Sequence, residues 1–255
     1  MVCELNVGND IIANVSYAGN TSGTTNDPIL IDSFDFFISE GIKDFGVKFN
    51  YNGRDKNYKI AKDSLKLIPG EKYKFRGVSL NADYNEPNIV IPASVSIDGE
   101  MSAIAKDRKL VNGKYVTTIK VNATIGNVMD EDSYFYIEPI LSTDASFVCK
   151  FDKDFEAFKP LKHKKGFLVD YKRITQKSLE FYLEVNETIP STLLNLQVAN
   201  VTPSFYKYNY YYSNASEQNG QIPDNQAIAS FNIYTDKAFG SFSALNASQH
   251  HISIK

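Results

Sequence analysis

The chain has no tryptophan, only two cysteines and three histidines among 255 residues, and no apolar run near the ~20 residues that a membrane-spanning helix needs. Each shortage narrows what it can be. Two cysteines, Cys3 and Cys149, cannot form the multi-bridge framework of a small secreted scaffold. They read as buried thiols, with a single bridge left open if their strands are neighbours. His163 lies in a lysine-rich loop, and His250 and His251 are adjacent near the C-terminus. Neighbouring residues of a strand point to opposite faces, which disfavours joint metal ligation by the pair. Without tryptophan the usual sugar-stacking platform is missing, although tyrosine can substitute. Clustered cations are scarce too. Residues 159–165 hold the one short basic cluster, so nucleic acid is not an expected partner. A net charge of −3 argues for solubility and little else.

Signatures of catalysis are also missing. The sequence contains no G-x-S-x-G elbow, no phosphate-binding G-x-x-x-x-G-K-[ST] loop and no H-E-x-x-H helix. Asn81, Asp83 and Asn85 alternate like the start of a calcium loop. Glu86 stands where that loop needs glycine and Pro92 where it needs a bidentate glutamate, so it is no EF-hand. Residues 130–132 form a second acidic loop, which reads as a solvated turn. Thirty acidic residues make some close carboxylate pair inevitable, so a glycosidase-type pair carries no signal. The expectation is a protein that is not an enzyme and has no cofactor and no metal. Met1-Val-Cys-Glu lacks a basic n-region, and residues 5–7 are too short for an apolar h-region. The chain therefore reads either as made and assembled in the cytosol or as starting after a removed signal.

What is present is strand texture. Residues 11–17, 29–38, 45–51, 58–60, 65–67 and 72–80 are rich in β-branched and aromatic residues, with turn chemistry between them. Asn52-Gly53 offers positive φ for a tight hairpin, and Pro69-Gly70 suits a type II turn. Residues 110–111 and 114–125 flank Asn112-Gly113, the best-marked hairpin in the chain. Further strands are expected at 134–137, 147–151, 167–171, 179–185, 193–201, 205–212, 228–234 and 239–245, with a helical turn or two before Pro160. No stretch shows helical periodicity of helical length. The fold class expected is all-β, a tandem β-sandwich. An immunoglobulin-like domain would span 1–82, a linker 83–92 and a larger β domain 93–255.

The most distinctive segment is Phe205-Tyr-Lys-Tyr-Asn-Tyr-Tyr-Tyr212. As a strand it puts Tyr206, Tyr208, Tyr210 and Tyr212 on one face. A tyrosine row supplies apolar area with hydroxyls that stay hydrogen-bonded. Such a face can pack on a second sheet, form a subunit interface or bind a sugar or peptide. The interface is carried forward, since tyrosine is enriched in interface cores. Seven N-x-[ST] sequons, at Asn14, Asn20, Asn122, Asn186, Asn200, Asn214 and Asn246, would accept glycans in a eukaryotic secreted protein. Here they read as a by-product of Asn-, Ser- and Thr-rich β turns.

With its signal-less start, sandwich-like strand spacing, Asn/Lys/Tyr-rich strands and missing catalytic signatures, the chain resembles tailed-bacteriophage virion components. The resemblance implies a non-catalytic structural subunit of tail-ring, capsid-decoration or fibre-base type, made in host cytoplasm. Its partners would be other subunits of the same assembly, with a homo-oligomer expected and no membrane insertion. The segment Leu65-Lys-Leu-Ile-Pro-Gly-Glu-Lys-Tyr-Lys-Phe75 is similar to fimbrillin-like surface proteins of Bacteroidetes. That resemblance implies a pilin or adhesin subunit at the bacterial cell surface. A carbohydrate-binding module using residues 206–212 is the third alternative.

Overall fold

A computed structural model describes residues 2–14, 35–41, 46–55, 57–79, 82–83, 87–126, 128, 133–141, 146–152, 155–174, 178–186, 193–217, 233–234 and 239–255. The first strands are β1 (Val2–Asn6), β2 (Ile11–Asn14), β3 (Asp35–Glu40), β4 (Val47–Lys48) and β5 (Asn50–Asn52). They are followed by β6 (Asn57–Ile60), β7 (Lys72–Ser79), β8 (Ala82–Asp83) and β9 (Asn88–Val90). Next come the long hairpin strands β10 (Ser96–Val111) and β11 (Lys114–Gly126), then β12 (Tyr134–Leu141) and β13 (Phe147–Lys150). A 3-10 turn at Phe155–Ala157 precedes β14 (Phe158–Pro160), β15 (Phe167–Asp170), β16 (Ser178–Val185) and β17 (Leu193–Val201). Helix α1 (Pro203–Glu217), β18 (Ile233–Tyr234) and β19 (Phe239–Ser253) complete the order. The fold is all-β, with strands of sandwich type.

The chain divides into two compact units. The first holds 1–93, 202–211 and 221–246; the second holds 94–201, 212–220 and 247–255. In the first unit β5, β6, β2, β1 and the start of β19 lie side by side, while β4, β3 and β7 form another sheet with β8 and β9 on β7. β1 runs parallel to β19, from Val2↔Ser241 to Asn6↔Leu245. Alternation points Cys3, Leu5, Ile11 and Ala13 inward to meet Ile38, Tyr73, Phe75 and Phe242 in one core. Phe75 lies 5.4 Å from Phe242 and 6.2 Å from Phe49, ring centre to ring centre.

The second unit places β14, β15, β12, β17 and the end of β19 in one sheet and β10, β11, β16 and β13 in another. Strict alternation along β16 buries Leu179, Phe181, Leu183 and Val185. They join Leu194, Leu196 and Val198 of β17 and a run of phenylalanine rings. Phe151 stacks on Phe158 at 4.6 Å, and Phe167 meets Phe151 and Phe181 edge-on at 5.0 and 5.1 Å. Such aromatic pairs contribute roughly 0.5–1.5 kcal/mol each beyond the area they bury.

Several local expectations hold. Asn112 and Gly113 both take positive φ, 49° and 76°, between the paired ends Val111 and Lys114. Gly70 sits at φ 85°, and the Glu71 N–H donates to the Ile68 carbonyl, closing the type II turn. The Pro160 approach is a single 3-10 turn.

Others need correction. Residues 205–212 are helix, not strand. Residues 65–67 are not a strand either: Tyr73 Oη accepts from the Ile68 N–H and donates to the Lys66 carbonyl, so a side chain takes the place of a ladder. Asn52-Gly53 closes without positive φ. The Asn52 side-chain Oδ1 accepts from the Arg54 and Asp55 backbone N–H groups, an Asx-type turn that spares the backbone the left-handed region. The segment expected as a linker contains β9, paired with β7 from Lys72↔Val90. The loop at 19–27, the acidic turn at 130–132, and Asn81 and Asn85 lie outside the described residues, as does 228–232 of the strand expected at 228–234.

Candidate docking surface

The β10–β11 hairpin is longer than the sheet that holds it. β16 pairs with β11 only from Thr117↔Val185 to Thr124↔Ser178. The outer side of β10 is joined by the chain end through Ala105 N–H to the Lys255 carbonyl and Lys255 N–H to the Ala103 carbonyl. Beyond those points β10 and β11 pair only with each other among the described residues, from Lys109↔Val116 to the Asn112-Gly113 turn. A register shift between Ala105 and Asp107 marks the base of this arm; a bulge there bends the strand and sharpens its twist. The three strand residues that clear β16, Lys109 to Val111, reach about 10 Å at the usual rise.

Alternation sorts the arm's side chains. Leu110 and Tyr115 are directly opposed, and Arg108, two residues from Leu110, lays its guanidinium 4.0 Å from the Tyr115 ring centre. On the other face Lys109 pairs with Asp107 at 3.6 Å. Leu110 is 64% exposed, Val111 49% and Tyr115 44%, so apolar side chains crown the tip in water. Residues 106–114 contain four basic residues and one acidic one, net +3, in a chain of net −3.

At the opposite side of the same sheet, β13 is the terminal strand among the described residues. Its inner side pairs with β16 from Phe147↔Val185 to Lys150↔Tyr182. Val148 is 56% exposed, and Lys150 is held by Glu184 at 2.6 Å. Lys120 pairs with Glu180 at 2.8 Å on the neighbouring strands, and that hydrogen bond raises the lysine pKa.

The tyrosine segment is built differently from its expectation. Thr202 caps α1: its hydroxyl accepts from the Phe205 N–H at 3.4 Å, and Pro203 occupies the first helical position. The same hydroxyl accepts from the Ala244 N–H at 3.0 Å. Phe205, Asn209 and Ser213, four apart, are fully buried, and Asn209 donates to the Phe205 carbonyl. A helix cannot align alternate residues, so Tyr206, Tyr208, Tyr210 and Tyr212 share no face. Tyr206 and Tyr210, one turn apart, stack at 5.9 Å, and Tyr210 meets Tyr211 edge-on at 5.6 Å. Tyr212 meets His163 at 4.6 Å. Thr202-Pro203 is the one helix-start signal the segment carries in sequence, and the arm's apolar crown shows there only as a hairpin turn.

The remaining candidates fall into place singly. Cys3 is buried and Cys149 half-buried, and both are free thiols. Burial pushes the Cys3 pKa up, aided by Glu4, and pushes that of Cys149 up to about 12. His250 bonds Ser248 at 2.9 Å and His251 bonds Asn195 at 2.5 Å, so the two imidazoles serve different partners. Burial, then His251, lowers the His250 pKa. Among the described residues no three His, Cys, Asp or Glu side chains come together as a metal site, and no helix is long and apolar enough to cross a membrane. Asn246, one of the sequon residues, is buried and donates to the Pro92 carbonyl, which leaves no room for a glycan there.

No family model matches the chain, and no curated protein does. Solved structures give only weak likeness. A chain from the structure of manganese lipoxygenase of Gaeumannomyces graminis with part of zonadhesin of Komagataella pastoris is 9% identical at a TM-score of 0.21, covering 95% of this chain and 88% of that one. The full-length major pilin SpaD from Corynebacterium diphtheriae is 10% identical at a TM-score of 0.21, covering 98% of this chain and 66% of that one. At that score neither likeness carries an argument about fold or role.

Proposed function

We propose that the chain is a non-catalytic structural subunit of a larger assembly, of the tailed-bacteriophage virion kind, which works by packing against neighbouring subunits. The observation that supports this reading is the arm: a two-stranded ribbon that outruns its sheet and carries Leu110, Val111 and Tyr115 exposed at its end. Placing such side chains in water sacrifices roughly 1.5–3 kcal/mol for each aliphatic one that a contact could bury. Leu110 and Tyr115 adjoin on one face, and exposed apolar side chains that adjoin mark interaction sites when the patch is large enough. Peptide mass spectrometry of particles purified from the producing cells tests the role. The chain should be present there in fixed stoichiometry with the other particle proteins. Recovery in the cell-envelope fraction and absence from particles would replace this reading with the pilin or adhesin one.

A further inference from the structure

We infer that the β10–β11 arm of one copy adds to the open edge of β13 in a second copy, a head-to-tail contact that leaves one free arm and one free edge at the ends of any chain of subunits. The inference rests on the subunit reading above and names its partner. Strand addition needs an unpaired donor strand and an unpaired acceptor edge. The outer edge of β10 beyond Ala105, unpaired among the described residues, is such a donor, and β13 is the terminal strand of its sheet among them. The two surfaces also match in chemistry. Leu110 and Val111 crown the arm, and Val148 is the exposed apolar side chain of the edge. The arm carries net +3 over 106–114. Beside the edge, Asp152 and Glu156 are exposed carboxylates of the opposite sign. Lys150, which would oppose the arm, is already held by Glu184.

Donor and acceptor are different patches, so the contact is heterologous and propagates to a closed ring or an open filament. A two-variant mixing experiment by sedimentation velocity reads this directly. Val148→Lys places a cation on the edge and leaves the arm intact. The double change Leu110→Asp with Val111→Asp places charge on the arm and leaves the edge intact. All three side chains are about half exposed or more, so circular dichroism should match the unmodified chain. The unmodified protein should associate as its concentration rises, and the association should weaken in high salt because the opposed charges are screened. Each variant alone should stay monomeric. Their mixture should stop at a one-to-one pair, because only one arm and one edge remain usable. A monomeric unmodified protein at the highest concentration, a variant that associates alone, or a mixture that stays monomeric overturns the inference. Those outcomes leave the subunit reading to the particle measurement, which fails separately if the chain is absent from particles.

Discussion

Tyr73 is fully buried, yet its hydroxyl is satisfied twice, by the Ile68 N–H at 3.1 Å and the Lys66 carbonyl at 3.2 Å. Tyr73→Phe keeps the ring and strands both partners. The expected loss is about 1–3 kcal/mol in urea unfolding, with faster amide exchange at Ile68. Cys149 offers a pH test. Burial holds its folded pKa near about 12, whereas an unfolded thiol titrates near about 8.5. Between those values the unfolded chain has lost a proton that the folded chain keeps. The contribution is therefore complete below the lower value and is lost as pH rises toward the upper one. Cys149→Ala should flatten the alkaline fall in unfolding free energy, and at pH ~8 a thiol reagent should modify folded Cys149 far more slowly than the unfolded chain.

Helix α1 and the hairpin arm differ in how openly the sequence announces them. Asn112-Gly113 is a purely local signal: the turn needs two positive φ values and those residue types supply them, so the turn is legible without knowing the partner sheet. Gly113→Ala should therefore weaken the arm by about 1 kcal/mol, read as faster amide exchange over 106–116 with little change in the second unit's core. Helix α1 is obscured by composition. Tyrosine favours strands, and two of the three residues buried at its four-residue spacing are Asn209 and Ser213, which do not register as an apolar stripe. The signal that survives is the cap. Thr202→Ala removes the hydroxyl that serves both Phe205 and Ala244, with an expected loss of about 2 kcal/mol in chemical unfolding.

For the whole molecule, strand texture sufficed for the fold class because alternation in strands such as β16 and β17 is strong and local. The division of the chain was not readable. β1 is short and pairs with β19, Val2 beside Ser241, and nothing near residue 2 in sequence points to that partner. The candidate surface was half visible for the same reason. The hairpin is written in its turn, but its projection depends on where β16 and the chain end stop pairing, which is a property of the assembled sheet. Hydrogen–deuterium exchange over residues 106–116, compared between the dilute isolated chain and the particles that contain it, tests the docking role most directly. A docking arm should exchange fast in the isolated chain and be strongly protected in the particle. Equal, fast exchange in both would mean that the arm docks on nothing and would contradict it.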